Sequence, residues 1–141
     1  MNIKSIRSIS SPAPIGPYSQ AIAANGLLFI SGQVAIDGRV GTMVQSSIEA
    51  ETHQVMKNIG FILHEAGIDF NSVLKVSIFV RDLNNFATIN TIYGSYMGAV
   101  LPARETIEVS RLPRDANVEI SCIALMPVTP DQKQAEPENL K

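Results

Sequence analysis

Residues 101–124, Leu-Pro-Ala-Arg-Glu-Thr-Ile-Glu-Val-Ser-Arg-Leu-Pro-Arg-Asp-Ala-Asn-Val-Glu-Ile-Ser-Cys-Ile-Ala, carry most of the charge in this chain that is hard to explain as plain surface. Two β-like runs, about 104–110 and 117–126, flank the turn region Leu112-Pro-Arg-Asp115 and read as one hairpin. Arg104 heads the first run after a Pro-Ala step. In the second run Val118, Ile120, Cys122 and Ala124 form one face and Glu119, Ser121, Ile123 and Leu125 the other, because successive strand side chains point to opposite sides. A carboxylate beside Ile123 on a partly covered face needs a partner, since burying an unpaired ion is costly. Arg104 and Glu119 can therefore be an ordinary ion pair or two ends of a ligand site. Glu105 and Glu108 are also within reach of Arg104 on spacing alone, and Glu119 also reads as an edge-protecting charge.

Upstream, residues 3–9 read as an edge strand, and Ser10 to Tyr18 as a rigid loop crowded with prolines. Ser19–Ala24 and Leu27–Ser31 are strands joined by Asn25-Gly26, a pair that tolerates the positive φ values of a type I′ turn. From Ser46 to Ala66 the apolar residues recur at helical spacing, with Ser46 and Glu49 as a capping box and Gly67 as the stop. Glu49, Glu51, Gln54, Lys57 and Asn58 are assigned to the outer face of this helix. Ser72–Val80 alternates as a strand with Leu74, Val76, Ile78 and Val80 on the covered side, and Asp82 to about Gly98 is a second amphipathic helix. The predicted order β, β, β, α, β, α, β, β gives an α+β protein with one mixed sheet and two helices on one face. Two helices leave the other face open, which calls for cover by another subunit. Residues 1–127 form a single domain in this reading, and the polar segment 128–141 is a disordered tail.

Composition narrows the function. At 141 residues and 15.2 kDa the chain is long enough to bury a core, roughly two-thirds of its unfolded surface. Charged residues make up 17%, below the usual quarter, which again fits self-association. The net charge of -2 supplies no basic field for nucleic acid or an anionic membrane, and no apolar run approaches the roughly 18–20 residues of a spanning helix. One cysteine, Cys122, excludes an intramolecular disulfide and points to the reducing cytoplasm. His53 and His64 stand three helical turns apart, about 16 Å, too far for one metal, and with no Cys or His cluster and no phosphate-cradling Gly-rich loop in the sequence neither metal nor cofactor is expected. The loop Ile15-Gly-Pro-Tyr18 and the strand end Ser31-Gly-Gln33 can offer a phenol, a hydroxyl and backbone N–H groups to a small ligand, or can merely punctuate structure.

Taken in order, Ile15-Gly-Pro-Tyr-Ser-Gln20, Ile30-Ser-Gly-Gln33, Phe79-Val-Arg-Asp-Leu-Asn-Asn-Phe-Ala87, Pro102-Ala-Arg104, Glu108-Val-Ser-Arg-Leu-Pro-Arg-Asp115 and Val118-Glu-Ile120 resemble the Rid family of reactive-intermediate deaminases, in its RidA subgroup. The resemblance spans about residues 3–126. It implies the chorismate mutase-like (RidA/YjgF) fold and a homotrimer whose sheets form a central β-barrel, with a site in each cleft between subunits. It also implies hydrolysis of enamine and imine acids, 2-aminoacrylate, 2-iminopropanoate and 2-iminobutanoate, to 2-ketoacids and ammonia, which protects pyridoxal-phosphate enzymes. By position, Arg104 would hold the substrate carboxylate and Glu119 would deprotonate the attacking water. Tyr18, Ser31, Gly32 and Asn90 would line the pocket. Thr106 would stand where many members carry a pocket cysteine, and Glu105 is unusual beside Arg104, although strand alternation should turn it away. Two other readings stay open: a regulator that binds 2-ketoacids or amino acids without catalysis, and a ribonuclease or translation inhibitor.

Overall fold

The computed structural model describes residues 2–127, so the tail expected over 128–141 lies outside them. In chain order the elements are β1 (Lys4–Ile6), β2 (Ala21–Ala24), β3 (Leu27–Gln33), β4 (Ile36–Asp37), β5 (Thr42–Met43), α1 (Ile48–Glu65), β6 (Val73–Val80), α2 (Phe86–Tyr96), β7 (Ala103–Glu108) and β8 (Val118–Leu125). Six strands make one mixed sheet in the order β1-β2-β3-β8-β6-β7, while β4 and β5 form a small separate ribbon. Among the described strands only β6 and β7 run parallel, joined by the α2 crossover that parallel neighbours require.

Strands β7 and β8 are not a hairpin, because β6 lies between them. The crossover carries β7 to the sheet edge, and the chain then returns to insert β8 between β3 and β6. That central place suits β8, whose Val118, Ile120, Cys122 and Ala124 are all buried under the helices. They pack with Leu28, Ile30, Val76, Ile78 and Val80 of the sheet against Val55, Met56, Ile59, Ile62 and Leu63 of α1 and Ile89 and Tyr93 of α2. The other face keeps large apolar groups in the open, with Phe29 44% and Ile107 47% exposed. Asn25 and Gly26 have φ of 50° and 74°, as the turn reading requires. Leu74 departs from its expected side: a register shift between Val73 and Lys75 makes a bulge there and leaves it exposed.

Helix α1 differs from expectation in two ways. Its N-cap is Ser47, whose Oγ accepts from the Ala50 N–H at 3.0 Å, rather than Ser46. Glu51 and Asn58, assigned by polarity to the outer face, are buried. They belong inside because each side chain hydrogen-bonds backbone groups of a distant segment. Asn58 Nδ2 donates to the carbonyls of Val34 and Ile36, at 3.1 and 2.8 Å. The Glu51 carboxylate accepts from the backbone N–H and the Nδ2 of Asn117, at 2.7 and 2.8 Å, and so pins the residue just before β8. Removing that carboxylate strands two donors. Glu51→Ala is expected to cost about 1–3 kcal/mol in urea denaturation, whereas Glu65→Ala on the exposed last turn should stay within about 0.5 kcal/mol. Equal midpoints for the two variants would remove Glu51 from this role.

Candidate active site

Arg104 sits in the edge strand β7 opposite Val76, which is itself opposite Cys122, so all three side chains share the helix-covered face. Its Nη1 donates to Asn90 Oδ1 of α2 at 2.7 Å. Its guanidinium carbon lies 5.6 Å from the centre of the Phe86 ring and 5.0 Å from that of Tyr93. The head group borders an open cleft of about 300 Å³ lined by Asn90, Tyr93, Gly94, Leu101 and Pro102. Thr106, two residues on and on the same face, has a buried hydroxyl with no hydrogen-bond partner among the described residues. Glu105 points the other way: it accepts from Ser77 Oγ at 2.6 Å and pairs with Lys75 at 2.9 Å. The Ser77 hydroxyl and then Lys75 hold its carboxyl below the usual range, so it does not compete for Arg104.

Glu119 faces the opposite side of the sheet, beside Phe79 in the register. It lines a cavity of about 80 Å³ together with Tyr18, Gly32, Ile15, Pro12 and Arg114. Burial raises its carboxyl above the ordinary glutamate value. The β3–β8 register shifts between Ile30 and Gln33, a bulge that frees Ser31 and Gly32 from the ladder. Gly32 is glycine for lack of room, since a Cβ there would stand 2.9 Å from the Glu119 carboxyl carbon. The Ser31 hydroxyl is committed to the Ser19 carbonyl at 2.6 Å and its N–H to the Gln20 carbonyl at 2.9 Å, so it holds the bulge. Tyr18 is half-exposed at the cavity wall, and its hydroxyl accepts a long 3.4 Å bond from the Ile15 N–H.

The residues named from sequence thus fall into two groups on opposite sides of one sheet: Arg104, Asn90 and Thr106 on the helix side, and Glu119, Gly32 and Tyr18 on the other. Within one chain no cavity among those described is lined by both Arg104 and Glu119. Sequence reading missed Phe86 and Tyr93 as partners of Arg104; both fall in the apolar stripe that makes the second helix amphipathic. It also missed Arg114, which was given only as turn. The segment Pro113–Asp115 places Arg114 and Asp115 at φ of 59° and 51°, left-handed values unusual for side chains of this size. Among the described residues no group of three or more His, Cys, Asp or Glu could hold a metal ion, and no helix is long and apolar enough to cross a membrane. Burial pushes the Cys122 thiol up to about 12, which makes it a core residue rather than a nucleophile.

A sequence profile of the family described as endoribonuclease L-PSP matches residues 8–126. A RutC family protein of Synechocystis, slr0709, is 46% identical over 129 residues, covering 90% of this chain and 99% of its own length. The mouse protein named 2-iminobutanoate/2-iminopropanoate deaminase is 44% identical over 122 residues, covering 86% of this chain and 90% of its own. The crystal structure of a Rid family protein of unknown function from Yersinia pestis, YyfA, superposes with a TM-score of 0.86 at 44% identity. It covers 89% of this chain and the whole of the other.

Two variants check the cavity. Gly32→Ala forces the Glu119 carboxyl to move and should shrink the space beside it, visible as a displaced Glu119 in a crystal structure. Glu119→Gln removes a carboxylate whose charge burial disfavours. A carboxyl with a raised folded pKa stabilises the fold below its ordinary value of 4.5 and loses that contribution as pH rises through the folded value. Glu119→Gln should therefore melt higher than the parent at pH 7, with the gap closing at pH 4; a gap that widened on acidification would contradict burial as the cause.

Proposed function

From the premise that this chain belongs to the Rid family, also described as endoribonuclease L-PSP, we propose that it hydrolyses small 2-imino acids, 2-iminopropanoate and 2-iminobutanoate, to 2-ketoacids and ammonia. The observation that carries this reading is the chemistry of the two half-sites: an arginine fork with open donors in one, and a desolvated carboxylate in a small cavity in the other. Each is incomplete alone. A second copy of the chain, docked so that one subunit's Arg104 cleft meets its neighbour's Glu119 cavity, joins them, and the apolar open face with Phe29 and Ile107 supplies the contact. The trimer of the family is the arrangement we assign to it, in the cytoplasm.

The reaction needs little from the protein. The iminium carbon is electrophilic once its nitrogen is protonated, so binding, a placed water and one base suffice. Arg104 holds the substrate carboxylate in a two-point clasp. Glu119 takes a proton from water as the new C–O bond forms, and the C=N π electrons move to nitrogen. The tetrahedral carbinolamine then collapses: Glu119 returns its proton to nitrogen, the C–N bond breaks, and the carbonyl forms as the hydroxyl proton passes to the departing ammonia. Iminium and water become 2-ketoacid and ammonium, with no redox change. Burial suits Glu119 to this task, because a raised pKa makes a carboxylate a stronger base. Thr106 stands beside the fork on the same face of β7, with its hydroxyl buried behind the cleft. The cavity of about 80 Å³ favours short side chains.

The family description favours a second reading, cleavage of RNA. A net charge of -2 works against it, because phosphate backbones are held by clustered cations. Any ribonuclease activity that survives Arg104→Ala and Glu119→Gln together would belong to another site or another protein.

The test couples serine and a dehydratase to the full chain and measures pyruvate release. Arg104→Lys keeps the charge but loses the fork, and should lose most activity. Glu119→Gln should still bind pyruvate yet turn over about 10²- to 10⁴-fold more slowly. Activity of the parent should fall on acidification, with its midpoint above the ordinary glutamate value. Parental rates in both variants would sink the assignment, and pyruvate binding without turnover in the parent would leave a sensor rather than an enzyme.

A further inference from the structure

We infer that Phe86 and Tyr93 are positioning residues for Arg104: their rings form a platform that fixes the guanidinium without occupying its donors. The inference rests on the reading of Arg104 as the substrate-carboxylate anchor and goes beyond it. An arginine on an edge strand has a long flexible stem, and Arg104 has no carboxylate partner among the described residues. Something else must hold it still. Helix α2 presents Phe86, Asn90 and Tyr93 at i, i+4 and i+7, one face of the helix, and all three meet the head group. Both ring centres lie within the roughly 6 Å over which a cation is drawn to an aromatic face.

The consequence concerns donors. A guanidinium carries five N–H groups. Asn90 takes one of them. An acidic partner would take two more and cancel the charge, whereas aromatic faces attract the cation through their π clouds and leave the rest for a ligand. Tyr93 is the main support, since its ring is nearer and buried while Phe86 is 40% exposed. Its hydroxyl has no hydrogen-bond partner among the described residues, and burial pushes its pKa up, so the ring stays a neutral phenol. The face of the ring carries the role, and the oxygen does not.

Four variants of the full chain separate this from plain packing: Tyr93→Leu, Tyr93→Phe, Phe86→Leu and Arg104→Ala, each read by 2-iminopropanoate kinetics and by calorimetric binding of pyruvate. Tyr93→Leu should raise KM and the pyruvate Kd together by about 5- to 30-fold, with a smaller change in kcat, because a carboxylate anchor acts in ground and transition states alike. Tyr93→Phe, which restores the ring, should rescue both to within about twofold. In the Arg104→Ala background Tyr93→Leu should add nothing further. A fall in kcat with KM and Kd unchanged would mean packing only, and a Tyr93→Phe as weak as Tyr93→Leu would give the role to the hydroxyl; either result overturns the platform. If Tyr93→Leu does not fold, Phe86→Leu decides, since its exposed ring can be removed without opening the core: a two- to threefold rise in KM and Kd supports the platform, and none refutes it. Arg104→Ala with an unchanged pyruvate Kd would instead overturn the anchor reading on which this rests.

Discussion

The two-residue period of a β-strand assigns Arg104, Glu105, Thr106 and Glu119 each to one face of the sheet or the other. Arg104 is in phase with Val76 and Cys122 and lies under the helices, whereas Glu119 is in phase with Phe79 and lies on the open face. Because β6 intervenes between β7 and β8, the two residues are also separated by a strand's width. The same period sends Glu105 to Ser77 and Lys75 and keeps it off the guanidinium. One constraint therefore separates the charges that would otherwise pair, and it does so through hydrogen-bond register rather than through any special residue.

Each half is then built by an irregularity beside a regular element. On the open face a bulge at Ser31 and Gly32 brings backbone against the Glu119 carboxyl, at a position where any Cβ would collide with it. The neighbouring wall is the turn that holds Arg114 and Asp115 in left-handed backbone, a conformation that persists only when surrounding bonds over-determine it. They do: Gln45 donates to the Asp115 carbonyl, and the buried Glu51 carboxylate clasps Asn117 from both its N–H groups. Thus a glutamate on the first helix, remote in sequence, sets where the last strand begins and hence where Glu119 stands. On the helix side the irregularity is chemical, a guanidinium steadied by two rings and one amide.

Periodicity made the elements legible in the sequence, and topology was where it failed. The alternation in 117–126 correctly separated Val118, Ile120, Cys122 and Ala124 from Glu119 and its companions, and Asn25-Gly26 announced its turn. Adjacency in sequence suggested that β7 and β8 pair, yet the parallel crossover through α2 had already assigned β7 to the edge. Polarity was read as exposure at Glu51 and Asn58, although buried backbone groups in distant loops needed their side chains. Phe86 and Tyr93 registered only as part of the second helix's amphipathic pattern, although both rings also stand over a cation. A pattern of single residues cannot carry such information, since in each case the partner lies far along the chain.

The division into half-sites has a consequence for acid–base behaviour in the proposed enzyme. An arginine beside a glutamate lowers its pKa and weakens it as a base, while desolvation raises it. In one chain only desolvation acts on Glu119, and its carboxyl is raised. In the proposed assembly, where a second copy would bring Arg104 across, the opposite charge would undo that shift if the two met directly. In the proposed complex a substrate carboxylate seated on the fork would prevent this by neutralising the guanidinium. The substrate would then keep its own catalyst basic, and the empty site would rest with a weaker base. Such an arrangement requires an arginine whose donors are free and whose position is fixed by groups without charge, and Asn90, Phe86 and Tyr93 are all uncharged. Had Arg104 been steadied by a carboxylate instead, the fork would have been filled and the substrate's charge left without a partner.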